Sequence, residues 1–301
     1  MSKSKKDIKK DINPRSVEIQ NNNIRKDMFW VVKCIVLFII LQLIGQILYA
    51  LCFTLSIPEA RQSMEIFQNV IFSTIVINQS YYFGHIFVLL CLILSVITNA
   101  RANRDLAKTL LDKLCIETEC HSLKNAFHGI NYFTVGLAIQ SVLTTLVSLF
   151  AILVLGREMP SMENYFSVSP WSWLVIGICI PLTEELLFRG KILRKVTQYM
   201  GEKKANQIQA LGYAVIHGIS AYSVSDYIMG LLFGRMKKMS GSIVAPLLAH
   251  IGANTLNALL FTFPNLLSYR LFSIIYCVVL TYGAGVILFM LFKSVWNNTK
   301  K

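Results

Sequence analysis

The residues able to do chemistry are ionisable groups set inside apolar runs. The stretch WSWLVIGICIPLTEELLFRG (171–190) is apolar until the adjacent acids Glu184 and Glu185, followed by Arg189. An ionised side chain in hydrocarbon costs at least about 2.5 kcal/mol, so one that stays there faces a cavity or a partner. On a helix Glu185 and Arg189 stand at i and i+4, acid before base, which suits an ion pair. That pair would anchor one carboxylate near the membrane interface. Glu184 points about 100° away and is left free. Pro181, one turn earlier, has no amide hydrogen, and a bend there would let water reach Glu184. The competing reading is two solvated charges at a frayed helix end, with the acids roughly 8 Å from the cytoplasmic boundary at about 1.5 Å per residue.

Two more apolar stretches hold paired polar residues at helical spacing, Tyr213-x3-His217 and His250-x3-Asn254, each pair sharing one helix face. A carboxylate beside a histidine can take a proton from water and pass it to a leaving amine. An asparagine and a second histidine can donate hydrogen bonds to a tetrahedral oxyanion. The set therefore suits a peptidase that activates water without a covalent nucleophile. Serine chemistry fits less well, because no GxSxG elbow occurs and Ser220 and Ser223 fall toward the opposite membrane face. Zinc held by Glu184, His217 and His250 is the less favoured alternative: there is no HExxH, and the asparagine and paired acids are better explained without metal. His85, His121 and His128 receive no role.

Positioning these groups requires a membrane fold. Of 301 residues, 54% are hydrophobic and only 15% charged, against about 25% charged in soluble domains, and the mean hydropathy is +0.55. Those values exclude a soluble enzyme, a disordered chain and a coiled coil. The expected fold is all-α and polytopic, with about eight transmembrane helices near 29–55, 81–99, 130–155, 171–188, 205–221, 225–238, 242–263 and 270–292. Twenty-five of the 29 Lys and Arg residues fall in alternate connections and the two tails, which places both termini in the cytoplasm. The net charge of +13 is distributed between apolar runs rather than gathered on one face, so nucleic acid is not an expected partner. Seven scattered cysteines suggest neither a disulfide framework nor a zinc ribbon.

The domain organisation expected is a basic cytoplasmic tail (1–28), one membrane-embedded domain (29–293) and a short tail (294–301), with nothing cleaved. Segment 100–128 has leucines at helical spacing among charges, suiting either an amphipathic helix on the membrane surface or a solvated helical loop. Tyr81, Tyr82, Trp171 and Trp173 are expected in the interfacial aromatic belt, with Trp30 and Trp296 on the cytoplasmic side. Gly230-x3-Gly234 is read as a close helix contact.

EELLFR at 184–189, Tyr213-x3-His217 and His250-x3-Asn254, in that order on three helices within about 170–260, resemble the motifs of the CAAX-protease and bacteriocin-processing family of intramembrane glutamic endopeptidases, the Abi/Rce1-type group. The resemblance implies Glu184 as general base, His217 as its partner in polarising water, and His250 with Asn254 as oxyanion donors. Glu185, Phe188, Arg189 and Tyr213 would support them, Tyr213 standing where many relatives have Phe. It also implies metal independence, no cofactor, a cytosol-facing cavity, and a membrane-associated peptide or lipidated protein as substrate. Frequent Lys, Ile and Asn suggest a bacterial cell membrane, where peptide maturation or bacteriocin self-immunity would be favoured. Two rivals use the same residues: a proton-coupled transporter and a non-catalytic immunity or peptide-binding protein. The oligomeric state is not legible.

Overall fold

The computed structural model describes residues 14–102, 123–156, 170–218, 222–263 and 265–299. Among them there are helices and turns and no strand. Helix α1 (Pro14–Ser56) is followed by two short helices, α2 (Pro58–Gln62) and α3 (Met64–Ile71), then α4 (Thr74–Ala102) and α5 (Leu123–Leu155). A composite rod comes next: α6 (Pro170–Leu174), a π-helical stretch Val175–Cys179, α7 (Ile180–Glu185), a second π-helical stretch Leu186–Leu193, and α8 (Arg194–Ile216). The chain closes with α9 (Ser223–Ser240), α10 (Val244–Thr262) and α11 (Arg270–Thr299).

Five helical segments among the described residues are long and apolar enough to cross a membrane: Ile24–Ser56, Thr74–Ser95, Ile130–Val154, Trp171–Ile216 and Arg270–Met290, with Val244–Leu260 a shorter apolar helix. The fold is thus the expected all-α polytopic one, but four of the eight expected spans do not stand as separate spans. The fourth and fifth are joined in the single 46-residue stretch. Gly201 breaks it, at φ 74° and ψ 162°, a left-handed backbone that glycine adopts without a Cβ clash. The sixth, α9, carries Asp226, Arg235, Lys237 and Lys238. The seventh, α10, is short.

Gly201 turns the chain back, and an ion pair between Glu202 and Lys238 joins the beginning of the α8 limb to the end of α9. Asn206 Nδ2 donates to the Leu231 carbonyl at 3.0 Å within the same hairpin. The Gly230-x3-Gly234 pair does what its spacing suggests: a Cβ on Gly230 would meet Ala210, and one on Gly234 would meet the Asn206 side chain. On the other side α5 and α10 approach so closely that a Cβ on Gly136 would enter the Ala249 backbone and one on Gly252 the Phe133 carbonyl. Small residues set such contacts in membranes because lipid tails are as apolar as leucine, leaving close packing to hold helices together.

The composite rod runs between two apolar clusters. Val31 and Phe38 of α1 and Val88 of α4 pack against Leu187, Phe188, Ile192, Val196 and Tyr213. Ile139 and Leu143 of α5 pack with Met229, Leu232, Phe233 and Met236 of α9 and with Ala249 and Ala253 of α10. Outward, α1 and α11 present large apolar side chains such as Ile47, Leu48, Val278 and Leu288, the surface expected when lipid is the solvent. A shallow groove of about 760 Å³ on α11, lined by Arg270, Ser273, Cys277 and Thr281 among others, includes none of the candidate site residues.

Several expectations shift. Helix α1 begins at Pro14, inside the segment expected as tail, and α4 begins at Thr74, seven residues before the expected span. Tyr82 is not in an aromatic belt: it is fully buried against Val175 and Ile180. Trp30 lies under the ammonium groups of Lys191 and Lys195, at 5.9 and 4.6 Å from its ring centre. His85 sits buried within α4, 3.1 Å from Gln42 Nε2. Most of segment 100–128, with His121, and Ser220 lie outside the described residues.

Gly252→Val should drive a side chain into the Phe133 carbonyl and cost about 1–3 kcal/mol or more. The expected outcome is a clear fall in thermal midpoint in detergent, whereas Gly285→Ala on α11, where a Cβ meets nothing within 4 Å, leaves the midpoint near wild type.

Candidate active site

The composite rod presents the acids to the inside of the bundle. Glu184 and Glu185 end α7, which lies between the two π-helical stretches. A π-turn inserts a residue relative to α register and rotates the positions after it. Here the first π-turn precedes Pro181, and the Ile180 amide reaches back five residues to the Val175 carbonyl. Both acids are buried, as is Arg189.

The competing reading fails: the acids are not solvated charges at a frayed end, and the Glu185–Arg189 pair is buried within the bundle. The rod continues past Arg189 and Lys191 to the Gly201 turn, which puts Glu184 roughly 25 Å from that turn at about 1.5 Å per residue. Arg189 is fully buried because its partners are inside. Its Nη1 donates to Glu185 Oε1 at 2.8 Å, and its Nη2 donates to the Gly230 carbonyl at 3.2 Å. The guanidinium lies between two rings, 4.7 Å from the centre of Tyr213 and 5.3 Å from that of Phe233. Lys237 Nζ donates to the Arg189 carbonyl.

Glu185 Oε1 also accepts from His250 Nδ1 at 3.0 Å. The carboxylate thereby fixes the ring so that Nε2 faces the other way, as carboxylates do for orienting histidines. His250 Nε2 lies 3.3 Å from the Tyr213 hydroxyl and 3.7 Å from Glu184 Oε2. His217 is fixed differently. At the C-terminus of α8 its Nδ1 contacts the Tyr213 carbonyl at 2.8 Å; a carbonyl only accepts, so Nδ1 holds the hydrogen. Nε2 then faces Glu184 Oε1 at 3.7 Å. Glu184 is therefore flanked by both histidines at distances too long for direct hydrogen bonds. Its Oε2 has no hydrogen-bond partner among the described residues.

Seven of the eight sequence-derived residues are linked by direct contacts, and Asn254 reaches the same rod through a backbone carbonyl. Tyr213 offers His217 its backbone carbonyl and ring, 4.6 Å between centres, and turns its hydroxyl to His250. Asn254 gives one amide hydrogen to the Ile176 carbonyl at 2.9 Å. Phe188 packs edge-on against Tyr213, 5.5 Å between centres.

Some contributors were not read from the sequence. Gln209, fully buried, donates to the Gly230 carbonyl and to Asn206 Oδ1, both at 2.8 Å. The signal was available: Asn206, Gln209, Tyr213 and His217 form one polar stripe at i, i+3 and i+4 steps. Asp226 of α9 lies within electrostatic range of His217, Glu184 and His250, and Tyr81 of α4 within that of Glu184. Among the described residues no group of three or more His, Cys, Asp and Glu is arranged to hold a metal.

Removing the guanidinium leaves Glu185 as a buried, uncompensated charge. Arg189→Gln should cost about 3–5 kcal/mol, read as a large drop in unfolding midpoint, and Glu185→Gln/Arg189→Gln should recover part of it because the orphaned charge is gone.

Residues 166–256, under a third of the chain, match the family model described as type II CAAX prenyl endopeptidase Rce1-like. No curated protein and no solved structure matches the chain.

Proposed function

We propose that this chain, whose residues 166–256 match the model of the Rce1-like CAAX prenyl endopeptidases, is a metal-independent intramembrane glutamic endopeptidase. The observation that supports this reading is Glu184: a buried carboxylate with an unpartnered oxygen, between the Nε2 atoms of two histidines at 3.7 Å each. Those gaps are short enough for one water to contact the carboxylate and a ring nitrogen together. A neutral His217, its hydrogen on Nδ1, presents a lone pair to that water, and Glu184 presents another.

In the reaction, the water oxygen attacks the scissile carbonyl carbon while Glu184 takes the departing proton. The tetrahedral oxyanion accepts hydrogen bonds from the other side of the site, where the assigned donors are the second amide hydrogen of Asn254 and the Nε2–H of a doubly protonated His250, whose Nδ1–H is already given to Glu185. Collapse of the intermediate breaks the C–N bond, and the proton held by Glu184 passes to the leaving amine. Glu185 keeps the His250 ring in one orientation, and Arg189 holds the Glu185 carboxylate in place. Water enters from the His217 side: its side chain is 29% exposed, against 2% for Glu184 and 4% for His250.

The substrate is a membrane-associated peptide or lipidated protein, cut in CAAX-type processing, in peptide maturation or in bacteriocin self-immunity. The distribution of basic residues supports cytoplasmic termini, and the frequent Lys, Ile and Asn support a bacterial cell membrane. The test is incubation of the purified protein with a library of prenylated and unmodified peptides, chelator present, with new termini read by mass spectrometry. Wild type is expected to cleave. Glu184→Gln and His217→Ala are expected to lose about 100-fold or more of the rate. Cleavage by Glu184→Gln at the wild-type rate would remove the glutamic mechanism.

A further inference from the structure

Asn254 makes a bond that the water-activating mechanism does not use. In the first π-turn each amide reaches five residues back, and the Ile180 amide takes the Val175 carbonyl. The next acceptor in that register is the Ile176 carbonyl, and the residue that would serve it is Pro181, which has no N–H. Inside a membrane such a carbonyl has no bulk water to turn to. Asn254 Nδ2, from α10, donates to it at 2.9 Å.

The consequence reaches the catalytic pair. One turn before Asn254 on α10, His250 Nδ1 is bonded to Glu185 Oε1 at 3.0 Å. Helix α10 is thus fastened to the rod at two points, at Ile176 ahead of Pro181 and at Glu185 beyond it, with Glu184 between them in the chain. The 3.7 Å separation of Glu184 Oε2 from His250 Nε2 depends on both fastenings. Loosening the first frees the segment before Pro181 to rotate, and Glu184 with it.

We infer that Asn254 is a positioning residue whose bond to the Ile176 carbonyl replaces the backbone donor missing at Pro181 and thereby sets Glu184 against His250. The kinetic part of this inference rests on the proposed peptidase reading; its structural part does not. The two residues should be coupled. An alanine at 181 restores an N–H to the rod, which serves Ile176 directly in π register or lets the Ile180 amide serve it in α register. Asn254 then has less to do.

The experiment compares wild type, Asn254→Ala, Pro181→Ala and the double variant, full-length and in detergent. In the wild-type background Asn254→Ala should lower the thermal midpoint by several degrees. In the Pro181→Ala background the loss should be less than half as large. On a peptide cleaved by wild type, Asn254→Ala should lower kcat with KM within twofold, and the fold loss in kcat should shrink at least threefold when Pro181 is already alanine. Equal losses in both backgrounds would overturn the inference and leave Asn254 acting on the substrate alone. If wild type cleaves no peptide, the peptidase reading fails while the thermal comparison still decides this one. Should Pro181→Ala not fold, Asn254→Leu replaces it: similar in size but without an N–H, it should lower the midpoint as Asn254→Ala does, and a wild-type midpoint would overturn the inference.

Discussion

One carboxylate oxygen organises this molecule. Oε1 of Glu185 accepts from the Arg189 guanidinium at 2.8 Å and from the His250 ring at 3.0 Å, with all three side chains buried. A buried charge pair is weak support for a fold in itself, because desolvation offsets much of the attraction. Its value here is that it fixes directions. Arg189 belongs to the same rod as Glu185, and its second nitrogen reaches the Gly230 carbonyl of α9. His250 belongs to α10. Three helices are therefore brought together around an oxygen that takes no part in the proposed chemistry, and the neighbouring acid is left to do it.

That division of labour between adjacent glutamates follows from helical geometry. Successive residues point about 100° apart, so Glu185 can face the arginine while Glu184 faces the gap between two histidines. The π-helical stretches on either side reinforce it. An uninterrupted α-helix with a proline at 181 would leave one carbonyl short of a donor and bend the rod. In the structure the extra residue of the π-turn and the side chain of Asn254 accommodate the proline together. The irregular backbone is tolerated at membrane depth because another helix satisfies it.

Much of the site was legible in the sequence because charge inside an apolar run is costly and therefore informative. The i, i+4 pairs Glu185–Arg189, Tyr213–His217 and His250–Asn254 identified the right faces of the right helices, and the all-helical membrane fold followed from composition and run length. The continuation of the rod beyond Arg189 was not legible. Arg189 and Lys191 look like the end of a span, and only the tertiary partners of Arg189 make it an interior residue, while Lys191 remains exposed. The π-turns could not be read, since their register depends on a donor 78 residues away. Gln209 and Asn206 were visible in the polar stripe that ends at His217, but a hydrogen bond to the Gly230 carbonyl is set by how closely α9 approaches. The glycine spacing indicates that approach without stating its partner.

Exposure within the site is graded, and the gradient bears on how a membrane-buried carboxylate can handle water at all. Glu184 and His250 are almost fully enclosed, whereas His217 ends its helix at the break before Ser223 and is partly open. A base surrounded by lipid-facing helices with no open neighbour would stay dry; one facing bulk water would lose the strengthening that a low-dielectric surrounding gives to nearby dipoles. Ending α8 at His217 meets both demands. The helix terminus exposes one ring edge, the Tyr213 carbonyl fixes which nitrogen points inward, and the enclosed acid lies directly behind it.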